Sequence, residues 1–196
     1  MDGDGEDRPI ELKSLISETF KNPKISVVAK RIKRSEGFVF QSLYEIHKII
    51  TFIFTGKKIN FGNFSCLTIK DAENLSTKKS LWSSYSGSFK KNIINYNEID
   101  SIRGTRYFGP SKMSLLNLII HSFSIIAVFK YQVVFRSLLI LFILGLLKKY
   151  IGIPIDILMM AIIAFNFIIF LVSFREKEKE LLKCQENLDS VKDLTH

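Results

Sequence analysis

The residue types that most often carry catalysis or bind metals are few and scattered in this sequence. The three histidines, His47, His121 and His196, lie far apart, and the Asp and Glu residues show no paired catalytic spacing. The sequence has neither a phosphate-binding glycine loop nor a Gly-x-Ser-x-Gly nucleophile motif. The pattern therefore favours a protein that is not an enzyme and needs no cofactor.

The cysteines and one acidic residue complete the candidates for chemistry. Cys66 and Cys184 lie on opposite sides of a long apolar region and lack the spacing of a zinc site or a disulfide framework. A reducing compartment fits this usage best. Asp156 lies inside the apolar region, two residues after Pro154, and is interpreted as a residue at a helix N-terminus near a turn.

The element that dominates the chain is an apolar region from about Met113 to Phe174. Hydrophobic residues make up 47% of the sequence and the mean hydropathy is +0.17, but they are concentrated in this stretch. Such a composition is too apolar for a soluble surface. We therefore expect an integral membrane region at residues 113–174.

Charged residues divide this region into shorter segments. Val133–Leu147 lies between Lys130-Tyr131-Gln132 and Lys148-Lys149, and at 1.5 Å per residue it reaches about 22 Å, less than a hydrocarbon core of about 30 Å. The lengths favour a helical hairpin that enters and leaves the membrane on the same face, with residues 155–174 as its longer helix. Two full spans remain an alternative, because Lys130 and Arg136 can extend towards the headgroups.

Basic residues mark the expected membrane boundary. The net charge of +9 arises mainly from the part of the chain before the apolar region, and basic flanks normally stay in the cytosol. The acidic residues 1–7 are the reverse of a signal peptide, so targeting must come from internal apolar segments. The residues predicted to lie at the membrane interface are Lys130, Arg136, Lys148, Lys149 and Arg175.

The N-terminal third divides into two segments. In residues 1–36, apolar residues recur at helical spacing up to Asn22-Pro23, which predicts a short amphipathic helix. A basic cluster at residues 30–34 follows, which favours a membrane-flanking anchor over a nucleic-acid patch. Residues 37–56 are apolar but contain charges in the middle, which favours an interfacial or shallow hairpin-like helix over a buried helix of a small soluble domain.

The two remaining segments are polar. Residues 57–112 are interpreted as a cytosolic linker, with a small folded module as the alternative because short strands are plausible at residues 64–69 and 92–94. Residues 175–196 predict a C-terminal amphipathic helix that either lies on a membrane surface or forms a short coiled coil. Its apolar stripe consists of Leu181, Cys184, Leu188 and Val191. The expected fold class is thus an all-α membrane protein with apolar helical hairpins and a cytosolic linker.

Two stretches of the chain resemble the reticulon family. Phe20-Lys21-Asn22-Pro23-Lys24-Ile25-Ser26 is similar to the family's Trp-Arg-Asn/Asp-Pro-x-x-Ser-Gly motif, with Phe20 in place of Trp and no Gly after Ser26. From Phe135 to Leu194, a Phe-Arg-Ser-Leu sequence, a long apolar hairpin and an Arg-Glu-Lys exit follow the family's order. The chain departs from the family in residues 37–56, a poor first hairpin, and in Leu115–Phe129, an additional apolar segment.

The resemblance implies a protein that shapes endoplasmic reticulum tubules by hairpin wedging and self-association, with both termini in the cytosol. Its expected partners are the lipid bilayer and either further copies of itself or other membrane-shaping proteins, and no nucleic acid. The alternative function is a membrane-anchored adaptor or tether whose N-terminal region binds a cytosolic protein. An enzyme is the third and least favoured possibility.

Overall fold

The computed structural model describes residues 5–33, 38–102, 104, 107, 114–176, 179–180 and 183–184. The helices are α1 (Pro9–Lys21), α2 (Phe38–Thr55), α3 (Ile69–Ser76), α4 (Ser80–Ser83), α5 (Tyr85–Asn92), α6 (Leu115–Ala127), α7 (Lys130–Ile151) and α8 (Ile153–Ser173). The strands are β1 (Ser26–Lys33), β2 (Phe61–Cys66) and β3 (Tyr96–Ile102). We call the three strands with α1, α3, α4 and α5 the α/β module, and the antiparallel pair α7 and α8 the hairpin.

The three strands form one mixed sheet, so the expectation of an all-helical chain is correct only in part. The strand order is β2-β1-β3, with β1 antiparallel to β2 and parallel to β3. Val27 pairs with Cys66 on one side and with Asn97 on the other. The described part of residues 57–112 corresponds to the small folded module that the sequence left as the alternative to a linker.

The first half of the central strand β1, residues 26–29, is buried on both faces, which explains its apolar sequence. Val27 and Ala29 pack on one face with Leu15 of α1 and Phe64 of β2. Val28 points to the opposite face, because successive side chains in a strand alternate. A strand covered on both sides reads as a continuous apolar run and lacks the apolar–polar alternation of a half-exposed strand.

The second face of the sheet is covered by α3 and α5. Val28, Phe61 and Phe89 are buried there with Leu75 of α3, and the rings of Phe61 and Phe89 meet edge to face with centroids 5.4 Å apart. Aromatic pairs in this arrangement contribute roughly 0.5–1.5 kcal/mol beyond their buried area. The α/β module is therefore a three-layer unit with its own core.

Helix α7 is longer than the charged residues suggested, whereas the ends of α8 lie within two residues of the predicted helix at 155–174. Lys148 and Lys149 lie within α7, which continues for 22 residues, and the chain turns instead at Gly152, whose φ is 76°. The predicted turn comprised Lys148-Lys149 and Gly152-x-Pro154, and only its Gly152 part is observed as the turn. The two lysines stay in the helix because lysine is a good helix former whose long side chain can leave the apolar surface. At 1.5 Å per residue α7 is about 33 Å long, so its length no longer forces the chain to re-enter on the same face.

A close contact between α5 and α6 joins the α/β module to the apolar helices. A Cβ atom on Gly87 would lie 3.1 Å from Cγ2 of Val128 and 3.2 Å from the carbonyl oxygen of Ile125. The Lys91 ammonium group donates a hydrogen bond to the carbonyl oxygen of Val128 over 2.9 Å. Glycine at position 87 therefore allows α5 to approach the C-terminal end of α6.

Candidate membrane interface

The hairpin has the length and the surface of a membrane-spanning pair. Lys130–Tyr150 and Ile153–Ser173 each offer 21 residues that are long and apolar enough to cross a bilayer. Only 11% and 17% of their most apolar windows are buried, whereas the core helix of a soluble protein would be mostly covered. Large apolar side chains such as Phe142 and Met160 are exposed. The chain thus fits a hairpin membrane protein.

Helices α2 and α6 contribute side chains to a buried core in one half of the hairpin. We call residues 130–137 and 165–173 its proximal half and residues 138–164 its distal half. The buried cluster of the proximal half contains Val133 and Ile169, together with residues of the C-terminal parts of α2 and α6. These residues are Ile50, Phe54, Phe123, Ile126 and Ala127. Four helices therefore meet in the proximal half.

The distal half has a different surface. Its outward-facing side chains on α7 and α8 are large, apolar and exposed. They include Leu138, Phe142, Leu146, Ile157, Met160 and Ile163. In the described part of this half, only Ile155 and Ile162 are buried apolar residues. Among the described residues, the distal half therefore has less protein cover than the proximal half.

The free face of α2 is apolar from Ile46 to Ile53. Ile46, Ile49 and Ile53 follow one another at helical spacing and are all exposed. Glu45 and Lys48 form a 2.8 Å ion pair on the neighbouring edge of the same helix. Such a division between an apolar stripe and a charged edge is typical of a helix that lies in a membrane interface.

Arg136, predicted at the membrane interface, binds the end of α2. Its Nε donates a hydrogen bond to the carbonyl oxygen of Ile53 over 2.7 Å. The end of an α-helix leaves carbonyl groups without intrahelical partners and carries a partial negative charge, which favours a cation there. The guanidinium group also lies beside Gly56, where a Cβ atom would be 2.8 Å from one terminal nitrogen of Arg136.

Two other predicted residues, Lys130 and Arg175, lie together at the proximal end of the hairpin. The Lys130 ammonium group is 3.3 Å from a carboxylate oxygen of Glu176, and Arg175 donates to the Ser124 hydroxyl over 3.3 Å. Lys130 begins α7 and Arg175 follows the end of α8, so the antiparallel hairpin brings them to one level. Glu176, 8% exposed, was not predicted as part of this group.

Lys148 and Lys149 lie at the opposite, distal end. Lys148 pairs with Asp156 of α8 over 2.8 Å across the turn at Gly152. Asp156 is in the first turn of α8, as the sequence predicts. The five residues predicted at the membrane interface are therefore divided between the two ends of the hairpin, with Arg136 inside its proximal half.

A polar pair links the two hairpin helices near their middle. Asn166 donates to the Ser137 hydroxyl and to the carbonyl oxygen of Ile162, each over 2.8 Å. Its side-chain oxygen is buried and has no hydrogen-bond partner among the described residues. Hydrogen bonds between membrane helices contribute about 0.6 kcal/mol on average. The pair therefore fixes the register of α7 and α8 more than it stabilises them.

The predicted C-terminal stripe is described only at Cys184. This residue is helical and exposed, and Leu181, Leu188 and Val191 lie outside the described residues. The amphipathic helix at residues 175–196 therefore stays a prediction.

The described residues of the α/β module were compared with the requirements of a metal site and of an activated side chain. No set of three His, Cys, Asp or Glu side chains that could hold a metal ion occurs among the described residues. Burial raises the pKa of the Tyr85 phenol, and its hydrogen bond with Ser65 offsets part of that shift. A phenol with a raised pKa stays protonated at neutral pH and acts here as a structural hydrogen-bonding group.

Comparison of the chain with protein-family models, curated proteins and solved structures found no match.

Proposed function

We propose that this protein is a non-enzymatic membrane protein that stabilises curved membranes. The observation that carries the proposal is the difference in burial along the hairpin: side chains of four helices form a buried core in the proximal half, whereas the distal half exposes large apolar side chains. If the hairpin crosses the bilayer, the two halves occupy different leaflets. Unequal protein area in the two leaflets favours bending towards the narrower side.

The size of the asymmetry can be estimated from helix geometry. An α-helix with its side chains is about 10 Å across, which corresponds to roughly 80 Å² of cross-section. Two additional helices therefore add on the order of 150 Å² to one leaflet if they follow the membrane normal, and more if they lie in the interface. One molecule bends the membrane weakly, so the proposed activity requires a high surface density and self-association.

The orientation and the organelle belong to the same proposal. The α/β module is basic and adjoins the proximal half, which favours a cytosolic position for it and for both termini. Residues 131–147 of α7 reach about 26 Å at 1.5 Å per residue, close to the roughly 27 Å hydrocarbon core of the endoplasmic reticulum. This length and the reticulon resemblance support the endoplasmic reticulum membrane.

Reconstitution tests the proposal directly. The full chain is incorporated into large unilamellar vesicles at increasing protein-to-lipid ratio, and vesicle shape is examined by electron cryomicroscopy. Tubules or small vesicles are expected at high density, because each copy contributes the same leaflet asymmetry. Vesicles that stay large and spherical at a density where flotation confirms insertion would contradict the proposal.

The second candidate is a membrane-anchored adaptor, favoured by the folded α/β module. Strands β2 and β3 are the edges of its sheet, and an edge strand can pair with an extended peptide. Replacing residues 113–174 with an unrelated pair of spans separates the two candidates. Loss of curvature activity supports membrane shaping, whereas retained cellular function with the replaced spans supports the adaptor.

A further inference from the structure

A cleft opens where the α/β module meets the proximal half of the hairpin. It has a volume of about 420 Å³, and its lining divides into two parts. Lys79, Lys130 and Tyr131 form the polar part, and Val134, Phe170 and Phe174 form the apolar part. The cleft is therefore amphipathic, with its polar part towards the α/β module.

A second cleft of about 340 Å³ adjoins the first and extends its basic part. The two share Lys79 and Glu176 as walls, and the second adds Lys78 and Lys91. Four lysines thus line the two clefts, against one carboxylate. Glu176 pairs with Lys130 over 3.3 Å, and the Lys91 ammonium group contacts a carbonyl oxygen, so the positive charge exceeds the negative charge. This excess favours an anionic ligand.

The apolar part of the first cleft is continuous with the surface that faces lipid in the proposed function. Val134 is 48% exposed and Phe174 is 68% exposed. The rings of Phe170 and Phe174 meet edge to face with centroids 5.1 Å apart. A soluble anion would leave this apolar wall uncovered, whereas a molecule with acyl chains would cover it.

We propose that the two clefts bind the headgroup of an anionic phospholipid. The lipid phosphate lies among Lys78, Lys79 and Lys130, and its acyl chains follow the wall formed by Phe170 and Phe174. The site rests on the membrane insertion assumed in the proposed function, but it does not depend on curvature. Its effect is to hold the α/β module against a negatively charged leaflet.

Trp82 provides the measurement, because it is the only tryptophan in the chain and lies three residues from Lys79. The full chain in neutral-detergent micelles is titrated with phosphatidylserine that carries a nitroxide near the top of one acyl chain, and quenching of tryptophan fluorescence is recorded. Labelled phosphatidylcholine is the zwitterionic comparison. We expect saturable quenching with a clear preference for phosphatidylserine.

Two variants with equal charge change test the position of the site. Lys79→Glu is expected to weaken phosphatidylserine binding about tenfold, because the substitution removes one basic group from the anionic headgroup and adds a repulsive carboxylate. Lys149→Glu lies at the distal end and is expected to leave binding unchanged. Circular dichroism establishes that both variants fold. If Lys79→Glu does not fold, Lys79→Ala is used in its place.

Three results would overturn the proposal: equal quenching by both lipids, equal effects of the two variants, or displacement of the lipid by water-soluble glycerophosphate at the same concentration. The last result would mean that the apolar wall contributes nothing. The quenching experiment uses micelles, which have no bilayer curvature. A negative result in it is therefore distinct from a negative result in the vesicle-shape experiment. Vesicle flotation reports insertion separately.

Discussion

Gly56 and Arg136 determine how α2 ends against the hairpin. Gly56 has a φ of 71°, a conformation that glycine adopts without strain and that other residues adopt at a cost. It has no side chain to displace the Arg136 guanidinium group, which binds the Ile53 carbonyl oxygen over 2.7 Å. Composition alone would describe Gly56 as a helix breaker and Arg136 as an isolated charge in an apolar segment. In the structure the two residues together hold the end of α2 against the hairpin.

Replacement of Gly56 by alanine should loosen this attachment. We expect Gly56→Ala to lower the free energy of unfolding by about 1–2 kcal/mol, from the cost of the left-handed conformation and the contact with Arg136. Gly145→Ala is the control, because its Cβ atom would have no atom within 4 Å and helix propensity favours alanine by about 0.5–1 kcal/mol. Denaturant unfolding in mild detergent measures both, and equal stability of the two variants would contradict this account.

Helix α2 is the element whose exposed face matters most for the proposed function. Its C-terminal part joins the buried cluster of the proximal half through Ile50 and Phe54, while its apolar stripe has no protein cover among the described residues. A stripe of this kind in water would be unfavourable by about 25 cal/mol per Å² of apolar surface. The membrane interface is the environment that removes this cost.

Charged residues on that stripe should withdraw α2 from the membrane. We expect Ile46→Lys with Ile49→Lys to reduce vesicle tubulation strongly, because a lysine within the apolar layer costs about 2.5–3.5 kcal/mol at full depth and less near the interface. Glu45→Lys on the charged edge changes the net charge by the same two units and is expected to have little effect. Electron cryomicroscopy at matched protein density compares the variants.

Flotation with vesicles must show that the Ile46→Lys, Ile49→Lys variant still inserts through the hairpin. If the variant inserts and tubulates as the unchanged chain does, α2 contributes nothing to the asymmetry and the proposed source of curvature is wrong.

The whole molecule combines an α/β module and a hairpin that is long and apolar enough to cross a membrane. The module covers the first half of β1 on both faces and contacts α6 through Gly87, so it is held against the proximal end of the hairpin. Lys130 and Arg175 lie at that end, and Lys148 with Lys149 lie at the other. A molecule with charge at both ends and apolar surface between them suits a bilayer that it crosses completely.

Cysteine labelling in sealed microsomes tests this orientation. In a background without Cys66 and Cys184, we expect Lys13→Cys on α1 to react with an impermeant reagent from the cytosolic side. Lys149→Cys should react only after the membrane is opened, because it lies at the distal end of a hairpin whose helices each have 21 or more residues. Labelling of Lys149→Cys in sealed microsomes, or its protection in opened ones, would contradict a full crossing.

The sequence predicted the hairpin because membrane-spanning segments depend on local composition. It did not predict β1 and β3, which pair in parallel across more than sixty residues of sequence. Arg31 was assigned to a basic cluster that flanks a membrane, yet its side chain is 15% exposed and lies 3.8 Å from Asp7. The predicted strand at residues 64–69 overlaps β2, whereas residues 92–94 precede β3.

Some residues of the candidate site could also be predicted from the sequence, and others could not. Lys130 and Arg175 could be predicted because charges next to a span lie at its boundary. Lys79 could not, because it reaches the proximal end only through the contact between α5 and α6. A contact that depends on tertiary packing leaves no local pattern in the sequence.

The order of elements along the chain has a consequence for biosynthesis. Every strand of the sheet is translated before α6, α7 and α8, and about seventy residues separate Ile102 from Ser173. At 5–20 residues per second, the ribosome takes roughly 4–14 s to add them. The α/β module can fold in that interval. During the same time Ile50 and Phe54 of α2 lack their hairpin partners, and the apolar stripe of α2 has no cover. The nascent chain therefore needs a chaperone or an early encounter with lipid before synthesis of the hairpin is complete.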